Sequence, residues 1–216
     1  PRVDVDKLKA KLPNHCRNVE LLARGKRGVI LKAMYDDQDV AIKMTHPSSK
    51  AHNALLKEAQ NLKRVNKLGV GPKLLENTED YVIMEFVPGI LIGEFLGDED
   101  TPTRTIKTVL KAIIDQLFIL DTNNINKQEM TNPYKHIIVK ENLEPVLIDF
   151  ERAKISLRPA NTTQFSQYLT SSDITTILNE RGLLPDKERF YERIRDYHNA
   201  DNETKKEIIE EIKQLL

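Results

Sequence analysis

The sequence predicts an α+β protein in two parts, and three observations lead to this class. The first part alternates short apolar runs with turn residues, which is typical of an antiparallel sheet built from hairpins. A Pro-Gly break at Val87-Pro88-Gly89 follows. After this break the apolar residues recur mostly at helical spacing. The predicted domains are therefore a sheet-forming lobe over residues 1–87 and a reduced, mainly helical lobe over residues 88–216.

Five strands and one inserted helix are expected in the first lobe, after a short helix over residues 4–12. The strands are predicted at residues 18–24, 28–35, 39–44, 73–76 and 81–86. The inserted helix is predicted over residues 50–68, because its apolar side chains share one helical stripe. Gly69 and the Gly71-Pro72 pair end it.

The second lobe is expected to be helical except for one strand pair. Residues 103–121 carry a continuous apolar stripe and are the strongest helix candidate. Strands are predicted at residues 136–139 and 145–148, with a turn between them. Residues 162–216 show no strand pattern and are predicted to form three helices.

Composition excludes several classes of function. Thirty-three Lys and Arg balance 33 Asp and Glu among the 216 residues, so the formal net charge is zero. This balance argues against a protein that coats nucleic acid or an anionic membrane through its overall field. Cys16 is the single cysteine, which favours a reducing compartment. With no apolar run near the roughly 20 residues that cross a bilayer, and no apolar signal core, a cytoplasmic protein is expected.

Glycines mark the first hairpin, where Gly25 and Gly28 flank Lys26 and Arg27. Glycine lets backbone N–H groups approach a phosphate closely, and the two cations add positive charge. The alternative interpretation is an ordinary hairpin turn with two glycines.

Lys43 ends an apolar strand one hairpin further on, where an ammonium group could face the same phosphates. A cation facing the interior needs a carboxylate partner. Glu58 is the candidate, because it lies on or near the apolar stripe of the following helix. The alternative is that both charges are solvated.

Asp149 leaves a fully apolar strand in the run Ile148-Asp149-Phe150-Glu151. Its carboxylate oxygen suits a hard cation such as Mg²⁺. The alternative is that Asp149 caps the N-terminus of a following helix.

Taken in order along the chain, these motifs resemble the protein-kinase-like superfamily. Gly25 and Gly28 match the second and third glycines of the kinase Gly-rich loop, with Ala23 in the place of the first. Lys43 and Asp149 match the strand lysine and the Asp of the DFG motif. Met84 precedes a segment that matches the linker between kinase lobes. The Pro133–Val139 block and Ile148–Glu151 look most similar to a group of predicted archaeal Ser/Thr protein kinases, among relatives of RIO, KEOPS-complex and lipopolysaccharide kinases.

The resemblance implies a two-lobed protein-kinase-like fold that binds ATP and Mg²⁺. It implies that Lys43, held by Glu58, contacts the α- and β-phosphates, and that Asp149 binds the metal. The remaining nucleotide-binding residues implied are Gly25, Lys26 and Gly28 around the phosphates and the backbone of Glu85 and Val87 around the adenine.

The catalytic loop departs from the kinase pattern. With a two-residue insertion in the loop, Glu129 takes the position of the catalytic base and His136 that of the metal-binding Asn; without it, Thr131 takes the base position. Glutamate can still accept or orient a hydroxyl proton. Imidazole is a less usual ligand for Mg²⁺. Glu151 replaces the DFG glycine, and no A-P-E motif follows.

The sequence therefore predicts an ATP-dependent phosphotransferase with Ser/Thr of a protein as the favoured acceptor, the acceptor being implied by the resemblance alone. Two alternatives stay open: a nucleotide-binding pseudokinase or regulatory protein, and a kinase of a small molecule such as a sugar or lipid head group. Neither direct nucleic-acid binding nor a membrane partner is expected.

Overall fold

A computed structural model describes residues 5–25, 28–45, 52–183 and 186–216. They form an α+β fold with a five-stranded antiparallel sheet and several helices. The chain divides into two compact units, the first running to Val87 and including Asp149–Arg152. The second unit comprises Pro88–Ile148 and Ala153–Leu216. Within the described ranges, no helix combines the length and the apolar character that crossing a bilayer requires.

The first unit contains the five predicted strands and the inserted helix. Its elements are α1 (Val5–Lys9), β1 (Arg17–Arg24), β2 (Gly28–Tyr35), β3 (Gln38–Thr45), α2 (His52–Asn66), β4 (Leu74–Asn77) and β5 (Tyr81–Glu85). The strand order is β1-β2-β3-β5-β4 with antiparallel neighbours, which confirms the sheet expected from the sequence. This order makes β3 the central strand.

A two-residue turn sets the register of the central hairpin. Asp36 and Asp37 both have positive φ, 47° and 60°, and join the paired residues Tyr35 and Gln38. Positive φ at both central positions is the type I′ geometry, whose twist matches that of the flanking strands. The register that follows pairs Ile30 with Lys43.

Successive side chains of β3 point to opposite faces of the sheet, so the strand has one apolar face and one face that carries Lys43. Val40, Ile42 and Met44 are buried in one hydrophobic cluster with side chains of β2, β5 and α1. Successive side chains on a strand point to opposite faces, so Lys43 points away from this cluster. The helix α2 packs against β3, β4 and β5. Glu58 is buried in α2 beside Ala59, at 2% exposure.

The second unit is mainly helical with two small sheets. Its elements are β6 (Ile90–Leu91), α3 (Ile92–Gly97), α4 (Thr103–Thr122), β7 (Ile125–Asn126), a 3₁₀ turn (Pro133–Lys135), β8 (Ile137–Val139), β9 (Pro145–Leu147), β10 (Lys154–Ile155), α5 (Asn161–Leu169), α6 (Ser172–Glu180), α7 (Lys187–Asn199) and α8 (Asn202–Gln214). One sheet has the order β6-β8-β9 and the other pairs β10 with β7. The predicted strand pair is confirmed, since Ile137 pairs with Leu147.

The prediction of three helices over residues 162–216 is wrong, because the described part of this region contains four. The extra break lies after Leu169. There the hydroxyl of Thr170 donates to the carbonyl of Ser166 at 3.0 Å, and the chain turns into α6. The long helix α4 agrees with its prediction, and its apolar stripe is fully buried.

Candidate functional site

Lys43 on β3 lies among three carboxylates of the first unit. Its Nζ is 2.5 Å from Oε2 of Glu58, 3.0 Å from Oδ1 of Asp149 and 3.6 Å from Oε2 of Glu151. The Lys43 side chain is 20% exposed. The ion pair predicted between Lys43 and Glu58 is therefore present, and Asp149 joins it. We call these four residues the lysine–carboxylate cluster.

Burial and charge act in opposite directions on this cluster. Burial alone lowers the pKa of Lys43, but the charges of Glu58 and Asp149 outweigh it and raise that pKa. Burial also raises the pKa of Glu58, with smaller contributions from Asp149 and Glu151, while Lys43 pulls it down. The ammonium of Lys43 thus opposes the effect of burial on the pKa of Glu58, and that pKa still lies above its ordinary value.

The segment Asp149–Arg152 is attached to α2 by specific contacts. The side-chain amide of Asn61 donates to the carbonyl oxygen of Phe150 at 2.8 Å. The Phe150 ring is fully buried and lies where a Cβ on Gly71 would collide with it. Gly71 itself has a φ of +76°, a conformation that favours glycine. These contacts fix Asp149 and Glu151 on either side of a buried anchor.

Asp149 has a left-handed backbone, with a φ of 61°. Such a conformation is uncommon for a non-glycine residue and costs of order 1–3 kcal/mol, so it persists only where the surroundings impose it. The alternative that Asp149 caps a following helix is wrong, because the next element is the strand β10 and the next helix begins at Asn161.

The cluster offers hard oxygen ligands for a cation. Glu58, Asp149 and Glu151 each present one carboxylate oxygen, and these oxygens lie within 4.8 Å of one another. Carboxylate oxygen is the donor type that Mg²⁺ prefers, and in this structure the ammonium of Lys43 lies among the three carboxylates. Sequence reasoning recorded Glu151 only as a lost glycine. Its spacing of two from Asp149 was the signal that could have identified a second carboxylate.

The Gly-rich hairpin is described only in part. The N–H of Gly25 donates to the carbonyl of Gly28 at 2.9 Å, which closes the turn. A Cβ on Gly28 would collide with the Met44 carbonyl oxygen of β3, whereas a Cβ on Gly25 would meet no atom closer than 3.7 Å. Strand packing therefore requires glycine at position 28. Lys26 lies outside the described residues, and its role at the phosphates stays a prediction.

The backbone of the predicted adenine-binding segment is partly used within the sheet. The N–H of Glu85 donates to the Lys73 carbonyl at 2.8 Å, and the N–H of Phe86 donates to the Asp39 carbonyl at 3.2 Å. Val87 follows as the last residue of the first unit before Pro88, with its side chain buried at 7% exposure.

Glu129 and His136 come together in the second unit. Nε2 of His136 lies 3.6 Å from Oε2 of Glu129, and both side chains are partly buried. Glu129 follows Gln128 in a turn where both residues have positive φ, 62° and 68° respectively. His136 follows the 3₁₀ turn, and its N–H donates to the carbonyl of Pro133 at 2.8 Å. The structure thus brings the two sequence-predicted catalytic-loop residues into one pair.

Comparison with known proteins adds no further assignment. No family model matches this chain, and no curated protein matches it.

Proposed function

We propose that this protein is an ATP-dependent phosphotransferase with a two-lobed protein-kinase-like fold. The observation that carries the proposal is the position of Lys43, whose ammonium lies between buried Glu58 and the left-handed Asp149. A lysine on a central strand, fixed by a helix carboxylate and facing a metal-competent aspartate, is the arrangement that phosphoryl transfer uses.

The charge of the lysine–carboxylate cluster supports a metal-bound polyphosphate as its ligand. Three carboxylates face one ammonium, so negative charge is in excess when all are ionised. A divalent cation held by Asp149 and Glu151 would offset this excess and neutralise charge on the phosphates. Lys43 would then turn its donors from Asp149 to the α- and β-phosphate oxygens, while Glu58 keeps the ammonium in place.

The residues of this chain would divide the remaining work. Gly25, Lys26 and Gly28 would cover the phosphates, and Val87 would supply the backbone N–H to adenine because the N–H groups of Glu85 and Phe86 are already engaged. Glu129 would accept the proton of the acceptor hydroxyl as its oxygen bonds to the γ-phosphorus. The bond from that phosphorus to the β–γ bridging oxygen breaks, and ADP leaves with its electron pair.

The favoured acceptor is a Ser or Thr hydroxyl of a protein, as the resemblance implies. The test is incubation of the purified protein with γ-labelled ATP and Mg²⁺, measuring label on protein, on added generic protein acceptors and on a panel of sugars and lipid head groups. Label on protein above that of a Lys43→Met control is expected. Transfer only to a small molecule would replace the protein acceptor, and ATP consumption equal to that of the control would overturn the proposed function.

One observation favours nucleotide binding without transfer as a second candidate function. The carboxylate of Glu129, the residue proposed as the base, lies 3.6 Å from the imidazole of His136. This imidazole competes with an acceptor hydroxyl for the Glu129 carboxylate. Under this alternative, MgATP binds at the lysine–carboxylate cluster and Glu129→Gln changes neither binding nor turnover.

A further inference from the structure

Two consecutive left-handed residues present Glu129 in the second unit. Gln128 and Glu129 have φ values of 68° and 62°. Non-glycine residues in this region store strain, and such a conformation persists where the surrounding structure holds it. The residues on either side of the pair are Lys127 and Met130.

The helix α5 supplies a hydrogen-bond acceptor at each end of this turn. Oδ1 of Asn161 accepts the N–H of Lys127 at 2.7 Å, and Oε1 of Gln164 accepts the N–H of Met130 at 3.3 Å. Asn161 and Gln164 are three residues apart, so they lie on the same face of the helix. One rigid element therefore holds both flanks of the Gln128–Glu129 turn.

The Asn161 end is anchored by a buried carboxylate on α4. Oδ1 of Asp121 accepts the side-chain amide of Asn161 at 2.7 Å and its backbone N–H at 3.0 Å. Oδ2 of Asp121 accepts the N–H of Thr162 at 3.1 Å and the hydroxyl of Tyr197 at 2.8 Å. The negative charge thus lies at the N-terminus of α5, where the helix dipole favours it.

The remaining donor of Asn161 completes the attachment of the loop. Its side-chain nitrogen also donates to the carbonyl oxygen of Ile125 at 2.6 Å. Asn161 is fully buried, and Asp121 is 2% exposed. Burial and the charge of Asp121 raise the pKa of Tyr197, so its hydroxyl stays a donor. The network leads without a gap from α7 to the turn that carries Glu129.

We propose that Gln164, acting with the Asp121-anchored Asn161, is a positioning residue that sets the direction of the Glu129 carboxylate. The catalytic part of this inference rests on the proposed function. The backbone part, that Gln164 holds the turn, stands on geometry alone. A turn released at Met130 would let Gln128 and Glu129 relax out of the left-handed region, and the carboxylate would lose its fixed direction.

The test compares three single variants of the full chain. Gln164→Ala removes the acceptor, Gln164→Glu keeps an acceptor in the same place, and Gln167→Ala is the matched control at an exposed position of the same helix. Amide hydrogen exchange at Met130 should be about tenfold faster in Gln164→Ala and near native in the other two. The value of kcat should fall by about tenfold in Gln164→Ala alone, with KM for ATP unchanged in all three.

The two readouts separate the inference from the proposed function. Unchanged exchange at Met130 in Gln164→Ala would overturn the inference, and so would faster exchange with a kcat equal to that of Gln167→Ala. A native protein that transfers no phosphate would overturn the proposed function and with it the catalytic part. The exchange comparison would then still decide whether Gln164 holds the turn.

Discussion

Replacing Lys43 with Met tests the electrostatics of the lysine–carboxylate cluster directly. Methionine keeps the length of the side chain but removes the charge that faces Glu58. Breaking a buried ion pair by removing one partner costs about 3–5 kcal/mol, because the other charge is left buried and unpaired. For a chain of 216 residues, a loss of about 3 kcal/mol lowers Tm by roughly 6–12 °C.

The free energy of unfolding of Lys43→Met should decrease as the pH rises. Burial already raises the pKa of Glu58, and without Lys43 the opposing effect disappears, so that pKa rises further. Between the ordinary pKa of a carboxyl group and its raised pKa in the folded state, the folded chain keeps the proton and the unfolded chain releases it. Raising the pH through this range therefore favours the unfolded chain. The stability of Lys43→Met should therefore fall as pH rises from about 4.5 towards the folded pKa, by up to about 1.4 kcal/mol per pH unit.

Urea unfolding at several pH values from 5 to 8 measures this dependence, with the native chain in parallel. The double variant Lys43→Met/Glu58→Gln should recover part of the loss and lack the added slope, since no buried carboxylate is left on α2. Lys57→Met is the matched control at the exposed neighbouring position, expected to change stability by less than about 0.5 kcal/mol. A gap between Lys43→Met and the double variant that stays constant from pH 5 to 8 would refute the reasoning, because only Lys43→Met keeps the buried carboxylate.

Two further predictions concern the sheet of the first unit. Gly28→Ala should destabilise the chain by more than about 1 kcal/mol, because the added Cβ collides with the Met44 carbonyl oxygen. Gly25→Ala is the control, and it should change the free energy of unfolding by less than about 0.5 kcal/mol. Equal losses of stability for the two variants in thermal unfolding would contradict this prediction. The hydrogen bond that Tyr35 donates to Glu76 raises the pKa of Tyr35 to about 12. NMR titration of ring-labelled tyrosine should show that Glu76→Gln returns this pKa towards 10, and an unchanged value would exclude the hydrogen bond as its cause.

The features that sequence reasoning anticipated are those with a periodic or local signal. The turn residues between the apolar runs predicted the hairpins of the sheet, and the position of Lys43 at the end of an apolar strand made it a candidate to face phosphates. The helical stripe of α2 predicted that Glu58 faces inward. Strand and helix patterns can be recognised in a single sequence, and they identified Glu58 as the candidate partner of Lys43, with solvation of both charges as the alternative.

The features that sequence reasoning missed are very short elements and contacts between distant segments. β7 and β10 are two residues long each, too short to show any period. The break after Leu169 carries neither Gly nor Pro. The support of the Glu129 turn by Gln164 joins residues 34 apart, on different elements, through a backbone N–H that no sequence pattern marks.

Single-turnover transfer from γ-labelled ATP, measured beside equilibrium binding of MgATP, tests the proposed function most directly. The native chain should bind MgATP and transfer the label. Asp149→Asn should bind MgATP weakly, and Glu129→Gln should bind with a native Kd but transfer about 10²–10⁴-fold more slowly. A native chain that binds MgATP without transferring label, or that does not bind it, would contradict the proposal of an ATP-dependent phosphotransferase.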